Sequence, residues 1–403
     1  MLIGIDASRA NRSLRTGTEW YAFHIIRHLL QIDQKNQYLL YLDAEASPDL
    51  VEAVSSYSNV RFKRLAWPWR FFWTLGRLSL EMLVKSPDVL FVPAHALPLF
   101  RPKKTITTIH DIAFIRDENV YQKKNVKLSR PVFRRLLHYA IKFFTRGHYQ
   151  ANTLDYLCWS TQYALKKAQA IIAVSDFTKN EIIAVYSHRF AHKIHVVHNA
   201  YDKECYRFIP NSLERQQILD KYNVPESFFI YVGRLEKKKN TSALVEAFAL
   251  FKEKHPDSQT KLLLIGNAGF GYDEVKYIIE EYNLDKDVII PGWVEEEDLP
   301  ALFSAALAFV FPTLHEGFGI PVLQAMACKT PALISDLPVL REIAGRAAFY
   351  FNPYDRYDML KAMSLIYQDK DLQKELTNRG LTRVSEFSWE KAAQETLAVI
   401  EAL

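Results

Sequence analysis

ALAFVFPTLHEGFGIPVLQAMACKTP, residues 306–331, reads as a buried strand, a glycine-bearing turn and a helix in immediate succession. The unbroken apolar run 306–312 suits a strand covered on both faces, the situation of a strand inside a parallel sheet. Gly317 and Gly319 let the backbone come close to a ligand. Pro321 is expected at the first helical position, where its missing N–H costs nothing. The amides of Gly319, Ile320 and Val322 would then face an anion, helped by the helix dipole. Glu316 stands at the strand's carboxyl end and Gln324 lies eight residues on. Along a helix that is roughly 12 Å or somewhat less, enough to reach from a sugar to a nucleotide ribose. The competing reading is an ordinary strand-to-helix turn with a capping carboxylate.

The same alternation of strand and helix recurs on both sides of this block. FFIYVGR (228–234), KLLLIGN (261–267), DVIIPGW (287–293) and TPALIS (330–335) are strand candidates, with helices through 245–251 and near 274–282. Earlier come LIGID (2–6), YLLYL (38–42), VRFKRL (60–65), VLFVP (89–93), TITTIH (105–110), KAQAIIAVS (167–175) and KIHVVHN (193–199), with an amphipathic helix over 16–32. Strands interleaved with helices predict α/β architecture: two doubly wound, Rossmann-like parallel-sheet domains. A chain of 403 residues is also too long for one ordinary core. The pattern loosens near residue 200, between Asn199 and the prolines Pro210 and Pro225. The expected parts are 1–200, 201–386 and a last helix over 387–403. In such sheets ligands sit beyond the carboxyl ends of the strands, so residues there should carry function.

VGRLEKKKN (232–240) follows a buried strand, and Arg234 and Lys239 flank a four-residue gap suited to gripping a diphosphate. Arginine can hold phosphate oxygens bidentately and lysine adds a point charge. Lys237 and Lys238 read as a solvated basic turn. The scattered cysteines Cys158, Cys205 and Cys328 form no CxxC and suit a reducing cytosol. The opening MLIGIDASRA is too short an apolar run for a signal peptide, and no stretch approaches the length of a spanning helix. The net charge of +5 hides an asymmetry: residues 1–200 carry +13 and residues 201–403 carry −8. A basic half points to an anionic contact such as a membrane or a phosphate-bearing partner.

In this order the motifs resemble glycosyltransferase family 4, retaining enzymes of the GT-B fold. The set comprises IGID, TGT (16–18), TIHD (108–111), AVSDFTK (173–179), HVVHNAYD (195–202), VGRLEKKKN, PGWVEEEDLPALF (291–303), HEGFG and FSWEKA (387–392). Each is weak alone; together they cover nearly the whole chain. The resemblance implies two domains facing a central cleft that holds a nucleotide sugar, with the last helix crossing back to brace the first domain. It implies that Arg234 and Lys239 neutralise the donor diphosphate, that Glu316 contacts the transferred sugar and that His110 faces it from the first domain. It places Gly266, Val294 and Leu299 around the base, Gly233, Phe318, Gly319, Ile320 and Gln324 along the nucleotide sugar, and Gly17 and Thr18 over its phosphates. Gln324 departs from the family, which has a second glutamate there; the carbonyl still accepts from ribose hydroxyls, but the charge is gone. Ala200 replaces the family's glycine.

Two DxD stretches, Asp285–Asp287 and Asp369–Asp371, fall in turns and read as solvated charge, so no metal and no other cofactor is expected. GNAGFG (266–271) has the order GxxGxG rather than GxGxxG, which argues against a nicotinamide. His95 ends a strand and reads equally as an acceptor contact or a packed side chain. WPWRFFW (67–73) and the basic segment 121–150 combine aromatic and cationic residues as membrane-surface segments do, against the alternative of a core strip and a solvated helix face. The expectation is a cytoplasmic hexosyltransferase, peripheral at the inner face of the cell membrane, with no nucleic-acid partner. It would take a GDP- or UDP-sugar, with mannose preferred, and a glycan or lipid-linked acceptor of cell-surface polysaccharide. A scaffold that binds nucleotide sugar without turnover is the alternative.

Overall fold

The computed structural model describes residues 1–67, 73–116 and 152–403. The chain forms two compact units: Met1–Asn199 with Trp389–Leu403, and Ala200–Ser388. The first holds a seven-stranded sheet in the order β3-β2-β1-β4-β5-β6-β7. These strands are β1 (Leu2–Asp6), β2 (Gln37–Leu42), β3 (Val60–Arg64), β4 (Val89–Val92), β5 (Thr105–Ile109), β6 (Ala170–Ala173) and β7 (Ile194–Val196). The second holds six strands in the order β10-β9-β8-β11-β12-β13. They are β8 (Phe228–Val232), β9 (Lys261–Ile265), β10 (Val288–Gly292), β11 (Ala308–Phe311), β12 (Ala332–Ser335) and β13 (Ala348–Phe351). Each strand is parallel to its neighbours in both sheets.

The burial of each strand follows its place. VLFV, TITTI and AIIA of β4, β5 and β6 are buried at every residue, as are AFVF and ALIS of β11 and β12. Central strands of a parallel sheet have helices on both faces, and continuous apolar runs satisfy that. VRFKR of β3 lies at the sheet's edge and is mostly exposed. Its Arg61, Lys63 and Arg64 blunt an edge that would otherwise invite strand pairing.

Several elements differ from their sequence reading. The strand expected over 193–199 shrinks to Ile194–Val196, because His188–Lys193 winds into a 3-10 turn first. β13 was not anticipated. Asp287 is not solvated: it binds Lys252 at 3.0 Å and Lys261 at 2.9 Å. Asp369 caps the helix Lys370–Val384, accepting from the Leu372 amide at 2.8 Å. Of WPWRFFW, the described ends are core elements: Trp67 packs against the first unit's core, and Trp73 donates from Nε1 to the Leu65 carbonyl at 2.9 Å. Residues 68–72 and the basic segment 121–150 lie outside the described residues.

The helix Gly17–Ile32 starts with a capping box, Thr16 and Glu19 serving each other's amides. Against it packs the C-terminal helix Trp389–Glu401. The buried Trp389 indole stacks on His24 at 5.1 Å and tilts toward Tyr21 at 6.0 Å. Replacing a buried tryptophan by alanine typically costs about 3–5 kcal/mol. Trp389→Ala is expected to lower the first unit's unfolding free energy by that order while that of the second unit is unchanged, as followed by unit-resolved hydrogen exchange.

Candidate functional site

In a doubly wound sheet the ligand crevice lies where strand order reverses, beyond the carboxyl ends. In the second unit the reversal falls between β8 and β11. The loop after β8 carries Gly233, Arg234 and Lys239; the loop after β11 carries Glu316 to Gly319. Sequence-distant candidates therefore meet on the rim. Lys239 Nζ donates to Glu316 Oε1, and its ammonium lies 5.5 Å from the centre of the Phe311 ring. The two loops are also tied through backbone, with the Leu314 amide donating to the Lys238 carbonyl at 3.0 Å.

The loop after β9 joins the same rim. The Leu235 amide donates to Asn267 O at 3.0 Å, and the amides of Gly269 and Lys237 bond Leu235 O at 2.8 Å and Phe270 O at 2.7 Å. Such closeness requires glycine at 266. A Cβ there would lie 2.0 Å from the Gly233 carbonyl oxygen, and the backbone has φ +138°. Gly266 further donates to Gly292 O at 2.8 Å, which brings the end of β10 alongside. Val294 and Leu299, both buried, follow β10, and Leu299 opens the helix Leu299–Ala305.

Arg234 is exposed, and its Nε lies 3.6 Å from Glu236 Oε2. Its carbonyl accepts from the buried Tyr231 hydroxyl at 2.9 Å, which fixes the backbone while leaving the guanidinium to solvent. Glu236, absent from the sequence reading, thus supplies a second carboxylate on the rim. Lys238 was expected in a solvated turn; Lys237 is exposed, but Lys238 is buried, and its carbonyl stitches the two loops.

The turn at 316–319 needs two corrections. The helix is Ile320–Ala327 with Gly319 as N-cap at φ +97°, so Pro321 is the second helical residue rather than the first. The Val322 amide bonds back to Gly319 O at 3.0 Å, so it is not turned outward to an anion. Gly319 and Ile320 keep first-turn amides of the kind a helix leaves without an internal acceptor. The buried Phe318 ring meets Phe387 edge-on at 5.9 Å and is spent on packing. Gln324 sits part-buried on the same helix.

In the first unit the order reverses between β1 and β4. Here the buried Asp6 ends β1 and accepts from the Ser8 amide at 3.1 Å, Ser8 Oγ at 2.6 Å and Thr74 Oγ1 at 3.2 Å. Burial raises its pKa against those hydrogen bonds and the nearby Arg9. His110, after β5, has Nε2 3.1 Å from Pro93 O, so this nitrogen carries the proton and Nδ1 is left to accept. The Tyr21 ring meets it edge-on at 4.8 Å. Burial lowers the His110 pKa and holds His95 at about 4, with the neighbouring His110 charge adding to the latter. Both imidazoles are neutral at pH 7. Gly17 and Thr18 lie in the first turn of the helix Gly17–Ile32, where a Cβ on Gly17 would project into open space. Asp6 and Arg9 were missed; the signal available was an aspartate closing an apolar run in LIGID.

Comparison with known proteins agrees across both units. Residues 15–204 match the family model for Glycosyltransferase Family 4, and residues 214–383 match the model for Glycosyl transferases group 1. The chain is 30% identical over 337 residues to O-antigen chain mannosyltransferase B of Escherichia coli, covering 81% of this chain and 84% of that one. It is 26% identical to O-antigen chain mannosyltransferase RfbU of Salmonella typhimurium, covering 82% and 78%. The crystal structure of HepE from Anabaena in complex with UDP-glucose shares its fold, with a TM-score of 0.71 at 16% identity over 100% and 99% of the two chains.

The neutral histidines carry a pH signature. His95 binds a proton near pH 4 when folded and near 6.5 when unfolded. Across that interval the unfolded chain holds more protons, so stability falls as pH drops. His95→Asn is expected to flatten this acid limb of the first unit's urea-unfolding profile between pH 6.5 and about 4.

Proposed function

We propose that this chain, which belongs to glycosyltransferase family 4, transfers mannose with retention from a nucleotide sugar, GDP-mannose in preference to UDP-hexoses, onto a glycan or lipid-linked acceptor of cell-surface polysaccharide. The rim built around the Lys239–Glu316 pair carries this reading, and the O-antigen mannosyltransferase relatives support the sugar and the pathway class.

The second unit takes the donor. Gly266, Val294 and Leu299 border the base, and Gln324 reaches the ribose. Gly233, Arg234, Lys239 and the helix start at Gly319 and Ile320 hold the diphosphate. Glu316 contacts the sugar hydroxyls; within the first unit, His110 offers Nδ1 as an acceptor. A double-displacement glycosidase route needs a nucleophile and an acid/base set about the sugar. Here Glu316 is held by Lys239 and Glu236 by Arg234, so both carboxylates already serve cations. The family resemblance implies instead a reaction on one face of the sugar: the acceptor oxygen bonds to the anomeric carbon as the bond to the diphosphate breaks, and the leaving phosphate takes the acceptor's proton. Preorganised charge at the rim then supplies the rate. The proposed route calls on no metal or other cofactor, and of the two DxD stretches Asp287 pairs with lysines and Asp369 caps a helix. The acceptor lies on the basic first unit, peripheral to the inner face of the cell membrane.

Arg234→Ala and Lys239→Ala should each reduce donor turnover by roughly 10²-fold or more. Arg234→Ala should keep wild-type stability, because the side chain is exposed. Lys239→Ala should also cost about 1–3 kcal/mol by leaving the part-buried Glu316 without its partner. Turnover in a product-detecting screen of GDP- and UDP-sugars tests the assignment; wild-type rates in folded Arg234→Ala would defeat it. Nucleotide binding without turnover of any donor would favour the scaffold alternative, for which the Gln324 replacement is the motive. Activity is expected to persist in excess EDTA.

A further inference from the structure

The opposite end of the first sheet carries a second surface. The helix Ser79–Val84 precedes β4, and the loop 97–104 precedes β5, so both gather at the amino ends of those strands. Val84 is 86% exposed, Leu83 59%, Leu80 50%, Phe100 49% and Leu99 46%. A groove of about 370 Å³ runs among Met82, Leu83, Leu99, Phe100, Arg101 and Lys103, with Lys167 at its border. Isolated exposed apolar residues are ordinary, but a contiguous set marks an interaction site.

The surroundings give the partner's chemistry. Lys103 and Lys167 line the groove, and Lys85, Lys104 and Lys166, next in sequence to Val84, Lys103 and Lys167, are exposed as well. The acids close in sequence are engaged: Glu81 is buried and paired with Lys63 and Arg77, and Asp88 accepts from the Leu2 amide at 2.7 Å. The loop is also held in shape. The Leu99 amide donates to Ser79 Oγ at 2.8 Å, while Arg101 donates to Leu99 O at 2.9 Å and to the Tyr163 hydroxyl at 2.8 Å.

We propose that this surface, helix Ser79–Val84 with loop 97–104, docks the protein on an anionic bilayer: Leu80, Leu83, Val84, Leu99 and Phe100 enter the headgroup boundary and the ring of lysines meets acidic lipid. The proposal rests on the membrane-peripheral part of the function above and gives it a place among the described residues. It also narrows the acceptor. β5 runs five residues from this surface to the loop of His110, about 16 Å at 3.3 Å per residue. With β5 upright on the bilayer, the first unit's ligand-facing strand ends stand off it by about that distance. In that orientation an acceptor reaching them is a glycan already several sugars long, its free end directed away from its lipid.

Flotation of the full-length protein with phosphatidylcholine vesicles, with and without phosphatidylglycerol, tests this. Two variants serve, Leu83→Ser/Val84→Ser/Phe100→Ser and Lys103→Glu/Lys104→Glu, all at exposed positions outside the donor and acceptor sites. The wild type should bind the anionic vesicles and release as salt shortens the screening length. Each variant should bind at least roughly tenfold more weakly, about the contribution of one or two cations at a charged leaflet. Turnover with a soluble acceptor should be unchanged in both. Wild-type binding by both variants overturns the surface; if Lys123→Glu/Lys124→Glu/Lys127→Glu then releases the protein, membrane docking stands through segment 121–150 instead. A wild type that floats with neither vesicle, or equally with both, overturns docking on anionic lipid and leaves the patch to a protein partner. Soluble turnover reports on the transferase assignment separately in every case.

Discussion

Parallel pairing is the constraint on which the rest of this molecule depends. A strand that lies parallel to its neighbour must be reached by a crossover, so loops leaving the carboxyl ends collect on one side of the sheet and returning loops on the other. Both sheets obey this at every described pairing, and both reverse their strand order once, at β1/β4 and at β8/β11. The reversal parts the loops on either side of it and leaves a space that neither covers. Residues far apart in sequence, such as Lys239 and Glu316, still meet at its base, because they follow β8 and β11, which are neighbours in the sheet. The returning side has no such space and is free for a different use, which is where the apolar and basic surface at 79–104 sits.

How much of this was legible depends on how local the cause was. Strands such as AFVF and KLLLI announce themselves, because burial on both faces forces an unbroken apolar run. Ala348–Phe351 escaped because an outer strand is covered less completely, and its two middle residues are only part-buried. Arg234, Lys239 and Glu316 could be picked from their places after strands. The burial of Lys238 could not, since it lies where its loop meets one 76 residues away, with the Leu314 amide on its carbonyl. The helix start shows the same limit at short range. Proline is compatible with either of the first two helical positions, and only the geometry at Gly319 placed Pro321 second. Asp6 was quoted within a motif but given no task, because nothing in LIGID foretells that Ser8 and Thr74 will surround its carboxylate.

The two cations of the rim differ in what they cost the fold, and this bears on the proposed chemistry. Lys239 is part-buried and already neutralised by Glu316, so its desolvation has been met in folding. Arg234 remains largely in water, with a looser contact to Glu236. A diphosphate arriving at this rim would face the Glu316 carboxylate as well as the Lys239 ammonium, and those two contributions largely offset one another at distances beyond the pair. The net attraction must then come from Arg234 and from the amides at Gly319 and Ile320. Arg234 can swing onto phosphate oxygens without breaking a buried contact, while Lys239 keeps Glu316 aimed. On this argument the arginine chiefly governs binding and charge stabilisation of the leaving group. The lysine joins it on the phosphates at contact range and also governs the placement of the carboxylate that would read the sugar, and a charge-conserving exchange of one for the other at either position would not preserve these tasks.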